Sequence, residues 1–240
     1  MAYNFLSLVN EVCRKLNEVE LSSSNFASAK GFYATAKDAV NNAIRDINQT
    51  HNEWPFNHDT ETETLTAGLS RYPVPPNSSS VDFDSFRIKE NASFGNSTVR
   101  LSPMTYDDYL KNYVSQEYTS DTNVRGVPRY VVQTPSNEYV VVPSPDQAYE
   151  IVYEHYLTSV DMINATDVPY IPERYKHVIV DGAMTHAYMF RGNEQSASMS
   201  TSKFQEGLKR MRTILINRYE YVTSTALSAS KSIGSFGPRV

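Results

Sequence analysis

The hydrophobic period of this chain changes twice, and that constrains its fold more than any other feature. Apolar residues recur every three to four positions up to about residue 57. They then alternate or cluster in short runs through 58–171, and return to the three-to-four spacing from 172 to about 223. Helices and strands bury a face at different periods, so one element type cannot serve the whole chain. The order is two helices, a β-rich middle, two helices and a tail.

The first helix carries the stripe Phe5, Leu8, Val9, Val12, Cys13 and Leu16, and a Ser-rich loop follows over 19–28. The second runs from about Ser28 to His51 on Phe32, Ala36, Val40, Ala43, Ile44 and Ile47. Trp54-Pro55-Phe56 ends it, because Pro55 disfavours helix at the preceding residue. Thr60–Thr66 alternates but is poor in apolar groups, which predicts an exposed or edge strand. Val81, Phe83, Phe86 and Ile88 predict a strand with an irregularity near Ser85. Residues 97–102 offer a further short strand, and 103–118 a short helix with Tyr106, Tyr109, Leu110, Tyr113 and Val114 on one face. Over 126–158 the runs Tyr130-Val131-Val132, Tyr139–Val142 and Tyr149–Tyr156, separated by Pro-rich turns, predict an antiparallel meander of three strands.

Pro172-Glu173 suits the start of a third helix, striped by Tyr175, Val178, Ile179, Gly182, Ala183, His186, Ala187 and Phe190. The fourth spans about Ser196–Thr223, with Phe204, Leu208, Met211, Ile214, Leu215 and Tyr219 inward. Each helical pair needs an apolar partner. The expected fold is therefore α+β: a four-helix bundle body from 1–57 and 172–223, a central antiparallel β-rich insertion at 58–171, and an extended tail at 224–240.

Composition narrows the chemistry. One cysteine in 240 residues cannot build a disulfide scaffold, and Cys13 on an apolar stripe reads as a buried structural thiol suited to a reducing cytoplasm. A net charge of −5 argues against a dedicated nucleic-acid binder. The start of the chain shows no basic n-region leading into an apolar run, and no stretch is long and apolar enough to span a bilayer. Nine glycines include no phosphate-binding loop. His177, Asp181 and His186 on one helix are the best candidates for an acid/base or metal role, against a surface pair plus a packed histidine. Asp82 with Asp84, and Asp107 with Asp108, read as solvated carboxylates. No catalytic residue, metal ligand or cofactor is assigned.

Charge is unevenly placed. Residues 51–124 hold eleven Asp and Glu against five Lys and Arg, whereas 203–220 hold five basic against two acidic residues. An acidic middle and a basic terminal helix suit stacking on copies of the chain or on a partner. Arg210, Arg212 and Arg218 on one side, and Asp107 and Asp108 on the other, are the candidate subunit contacts. The 17 tyrosines suit interfaces as well.

Three groups of residues carry a family resemblance. The first is Glu53-Trp54-Pro55-Phe56-Asn57 after the second helix, leading to Thr64-Leu65 and Tyr72-Pro73-Val74-Pro75. The second is Gly126-Val127-Pro128-Arg129-Tyr130, then Val140–Asp146, then Tyr149 and Tyr153–Tyr156. The third is Asp167–Tyr175. In this order, over residues 3–222, they resemble the head-to-tail adaptor (tail tubular protein A, or head-tail connector) proteins of short-tailed bacteriophages. The resemblance implies a non-enzymatic virion protein made in the host cytoplasm. It would bind beneath the portal ring, oligomerise into a ring (commonly of twelve subunits), and join the tail nozzle. DNA would pass through the lumen without sequence-specific binding, with no cofactor and no membrane. It further implies that 224–240 docks on the portal, with Lys231, Ile233, Phe236 and Arg239 as candidate contacts. Two readings from other classes stand beside it: a small enzyme on the His177–His186 helix face, and a glycan- or partner-binding module on the tyrosine-rich meander.

Overall fold

The computed structural model describes residues 3–89, 98–118 and 121–216. Its helices are α1 (Phe5–Lys15), α2 (Ser23–Phe26), α3 (Phe32–Thr50), α4 (Tyr106–Asn112), α5 (Val114–Glu117), α6 (Lys176–Phe190) and α7 (Glu194–Leu215). Its strands are β1 (His58–Thr64), β2 (Arg71–Pro73), β3 (Ser78–Lys89), β4 (Thr98–Arg100), β5 (Ser102–Met104), β6 (Tyr130–Gln133), β7 (Glu138–Val142) and β8 (Glu150–Leu157). They form two compact units. One takes the chain up to Phe56 and from Ser159 onward, and the other is Asn57–Thr158. Among the described residues no helix is long and apolar enough to cross a membrane.

The helical unit starts at a capping box. The Asn4 side chain accepts the Ser7 N–H at 3.0 Å, and the Ser7 hydroxyl oxygen accepts the Asn4 N–H at 3.2 Å. Two of the orphan donors at the start of α1 are thereby met. α1 buries Phe5, Leu8, Val9, Val12 and Cys13 of its predicted stripe; α3 buries Ala36, Val40, Ala43, Ile44 and Ile47 of its own, adds Ala39, and leaves Phe32 only partly buried.

The expected four-helix bundle is not what these helices form. A bundle asks each helix for one apolar stripe, but α6 is apolar on several sides. Val180 and Met184, off the predicted stripe, are buried as fully as Ile179 and Ala183, while Phe190 at its end is exposed. α6 therefore acts as a hub packed against α1, α3 and α7. At its centre a β-carbon added to Gly182 would lie 2.9 Å from both Ala43 Cβ and the Phe204 ring, so only glycine admits α3 and α7 together. The core is completed by elements outside the four helices: Phe26 of α2, Trp54, and Met162 and Ile171 of the segment 159–171.

The β unit also departs from expectation. In place of one meander there are two four-stranded sheets, β1-β8-β3-β4 and β2-β7-β6-β5. β6 and β7 pair as an antiparallel hairpin, Tyr130 opposite Val142. β8 does not continue it, and runs instead between β1 and β3 in the other sheet. The intervening Pro143 and Pro145 have no N–H to give a ladder. β5 lies parallel to β6, and the remaining pairs are antiparallel.

Residues from both sheets share one core: Leu65, Tyr72, Phe86, Ile88, Leu101, Val131, Tyr139, Val141, Ile151 and Tyr153. On the opposite face of β6–β7, Val132, Val140 and Val142 cover Tyr109 of α4. That hairpin is buried on both faces, which is why its strands read as unbroken apolar runs. Within 103–118 the helix divides at Tyr113, and Leu110 is exposed.

β1 is an edge strand, as its composition predicts. The irregularity in β3 is a register shift between Asp82 and Arg87. Ser85 sits in the gap: its hydroxyl donates to the Asp82 carbonyl at 2.5 Å and accepts the Glu154 N–H at 2.9 Å.

Candidate interaction surfaces

The most elaborate surface of the helical unit is the segment 159–171, which has no regular secondary structure and is tied down along its length. The Asp167 carboxylate accepts the backbone N–H groups of Ile163 at 2.8 Å and Asn164 at 2.7 Å, and these hold it below the usual carboxylate range. The carbonyls of Asp167 and Ala165 accept the N–H groups of Phe5 and Leu6 at 2.8 and 3.1 Å, so the segment also satisfies the first turn of α1. Asn41 of α3 donates to the Met162 carbonyl at 3.0 Å and accepts its N–H at 3.2 Å. Arg45 engages both oxygens of Asp161, and those bonds lower the Asp161 carboxyl. Tyr3 donates its hydroxyl to the Ile171 carbonyl at 2.5 Å.

With Met162 and Ile171 buried as anchors, Val160, Ile163, Val168 and Tyr170 remain between 57% and 74% exposed. Val160, Val168 and Tyr170 line a cleft of about 250 Å³ that reaches Ile44 and Asn48 of α3. The segment thus presents four large apolar side chains to solvent on a backbone fixed by hydrogen bonds.

A second surface lies along α7. Asn193 caps its start, accepting the Ser196 N–H at 3.1 Å. Ala197, Phe204, Leu208 and Met211 face α6. The outer side carries Lys203, Lys209, Arg210 and Arg212 against Glu206, with Met199 and Ile214 exposed among them. Glu206, Lys209, Arg210, Thr213 and Ile214 line a shallow groove of about 450 Å³.

Residues 3–228 match the model of the SU10 adaptor protein family. The chain belongs to that family. No curated protein matches it. Membership makes the chain a phage adaptor, a structural protein with a place in the virion.

For an adaptor, the sequence-predicted site residues fall as follows. Arg210 is held by Glu206 one turn earlier on α7, and Arg212 is exposed in the last turn. Arg218 lies outside the described residues, as do Lys231, Ile233, Phe236, Arg239 and the whole of the 224–240 tail. Asp107 is exposed in the first turn of α4. Asp108 is engaged locally: Thr105 donates its hydroxyl to the Asp108 carboxylate at 2.6 Å and accepts the Asp108 N–H at 3.2 Å.

The rival sites are not brought together. Asp181 pairs with Lys15 of α1 at 3.2 Å, and His186 with Asp46 of α3 at 3.1 Å, while His177 stands exposed near the start of α6. Among the described residues no group of three His, Cys, Asp or Glu side chains is placed to hold a metal ion. Of the tyrosines expected in the meander, Tyr139 and Tyr153 are buried in the core of the β unit and so cannot stack on a sugar.

The segment 159–171 was legible only as the motif Asp167–Tyr175, and its residues up to 171 were expected in the β-rich insertion. The available signal is Val160, Ile163, Val168 and Tyr170, apolar residues that follow neither a helical nor a strand period.

In the β unit, Arg71 of β2 holds Glu117 of α5 with bonds of 2.5 and 3.1 Å, and Tyr109 donates to the same carboxylate at 2.5 Å. Burial pushes the Glu117 carboxyl up, but the Arg71 and Tyr109 hydrogen bonds outweigh it and hold the group below its ordinary value. Burial first, and then the Glu117 bond, raise the Tyr109 hydroxyl. This triad fastens α4–α5 to the edge of the second sheet.

Proposed function

We propose that this chain is the head-to-tail adaptor of a short-tailed phage. It binds beneath the portal ring, closes into a ring with copies of itself, and joins the tail nozzle while leaving a channel for DNA. Membership of the adaptor family over residues 3–228 carries this reading. Two further observations favour a role made of contacts. The helical unit invests its loop hydrogen bonds in presenting apolar side chains outward, and of the candidate acid/base residues Asp181 and His186 are engaged singly by different helices. An acidic chain also suits a channel wall, because a surface that gripped phosphates would retard DNA passage.

The portal contact is assigned to 224–240, with Lys231, Ile233, Phe236 and Arg239 as its anchors. In the absence of the portal the ring need not form, since a ring of portal sites raises the local concentration of bound copies. Deletion of 224–240 is expected to leave the far-ultraviolet circular dichroism of the folded body unchanged and to abolish co-sedimentation with portal-bearing capsids. Undiminished co-sedimentation sinks the assignment. Electron microscopy of the full chain with those capsids reads out the ring and its copy number.

A further inference from the structure

The two exposed faces of the helical unit differ in sign and are borne by different helices. The 159–171 shelf hangs from α1 and α3, and sets the carboxylates Asp161 and Asp167 among Val160, Ile163, Val168 and Tyr170. Both are ionised at neutral pH, and their hydrogen bonds hold them there further into acid. The other face lies on α7, which packs against α6. It sets four Lys and Arg against Glu206, among Met199 and Ile214, with Glu194 exposed in the first turn.

We propose that the shelf of one copy of this chain receives the α7 face of a second copy. Each surface supplies what the other needs, apolar side chains to bury and charge of opposite sign around them. Burial of the apolar groups supplies the affinity, and the charges supply orientation and encounter rate. Arg45 already offsets Asp161, and Glu206 offsets Arg210, so charge directs this contact more than it tightens it.

The contact joins two different surfaces of one body, so it is heterologous. Each copy that uses its shelf still has a free α7 face, and association continues until the rotation closes a ring. The proposal rests on the ring reading above and names the interface that would build it. It moves the acidic half of the subunit contact from Asp107 and Asp108 to the shelf, and keeps the basic half on α7.

Two full-length variants, Val168→Cys and Ile214→Cys, test it by disulfide cross-linking under mild oxidation, alone and with portal-bearing capsids. Cys13 is buried and stays out of the reaction. Both positions are exposed, and thiol titration with circular dichroism verifies folding and access. The expected result is a covalent dimer when the two variants are mixed, its loss when either is oxidised by itself, and a ladder of oligomers from the double variant.

Equal cross-linking of either variant alone means a two-fold contact and overturns the proposal. Absence of the mixed dimer with both thiols titratable assigns these faces to another occupant, including this chain's own later residues, and also overturns it. Micrographs of the unmodified chain keep the two readings apart. Rings without the mixed cross-link sink this pairing alone. Mixed cross-links that grow into open filaments support the pairing and sink the ring.

Discussion

In the helical unit three helices close on a glycine, whereas the core of the β unit is built of stacked aromatic rings. At Gly182 the side chain is absent so that Ala43 and Phe204 can both close on α6. In the other core, Phe86 stacks on Tyr153 with ring centroids 4.4 Å apart, and Tyr72 stacks on Tyr139 at 5.5 Å. The helical interior is mostly aliphatic and small, so it asks for few polar partners. The β interior contains phenol rings, each with a hydroxyl to be met. Tyr139 donates to Glu63 of the edge strand at 2.7 Å, and Tyr72 to the Leu69 carbonyl at 2.9 Å. Burial, and then the Glu63 contact, drive the Tyr139 hydroxyl far above its ordinary range, so it remains a donor. The tyrosine excess that suggested interfaces is thus partly a core composition, and the exposed apolar side chains of the helical unit are the better interface signal.

The two cores can be followed separately. The only tryptophan, Trp54, is buried in the helical unit and donates its indole N–H to the Ile47 carbonyl at 2.9 Å. Its emission reports that unit, while the near-ultraviolet dichroism of Tyr72, Tyr139 and Tyr153 is dominated by the other. The largest expected effect is that of Phe86→Ala. It removes a ring packed among Phe83, Tyr139 and Tyr153 and should cost about 3–5 kcal/mol. In urea the tyrosine transition moves to lower denaturant while the Trp54 midpoint stays. Equal displacement of both probes breaks the comparison, because the cores then unfold as one.

Gly182→Val should act in the opposite sense, lowering the Trp54 midpoint and leaving the tyrosine signal. Its cost is about 1–3 kcal/mol, since Ala43 sits on backbone that must shift before a β-carbon fits. A neutral result would show that α3 and α7 have room to separate.

The smallest effect is at Glu117. Glu117→Gln leaves Tyr109 without its carboxylate and Arg71 with only the longer carboxylate contact to Glu138 at 3.6 Å, and should cost about 1–2 kcal/mol after allowance for partial solvent exposure. Its native carboxyl titrates below the unfolded one, so its contribution is whole above the ordinary glutamate range. That contribution is lost as pH falls through the lower native value. The wild-type tyrosine transition should therefore weaken in acid more steeply than that of the variant. Parallel pH profiles would remove Glu117 from the account of the β unit.

Several elements were legible without coordinates because their cause is local. Period alone places Phe5, Leu8, Val9, Val12 and Cys13 on one side of a helix, and the core takes them all. The Thr-and-Glu alternation of 60–66 makes a poor central strand and becomes an edge. Ser85, between Phe83 and Phe86, breaks the two-residue alternation and marks the register shift. The basic outer side of α7 follows from spacing, although Ile214, expected inward, is exposed and the helix starts at Glu194, before the expected Ser196.

The partners of these elements follow from the tertiary structure. Tyr139–Val142 and Glu150–Leu157 look like neighbours because they are close in the chain. Their apolar faces are better covered in opposite sheets, and a hairpin carries no rule that a third strand must extend it. Val180 and Met184 gain meaning only once helices surround α6 on several sides. The outward side chains of 159–171 depend on α1 and α3 donating the hydrogen bonds that hold the loop open, which no spacing within the loop encodes. Sequence by itself determined which residues want to be buried and at what period, because those preferences are carried by each residue and its near neighbours. The tertiary structure decided what each buried face meets and which apolar groups are left over for another molecule, because both depend on contacts far apart along the chain.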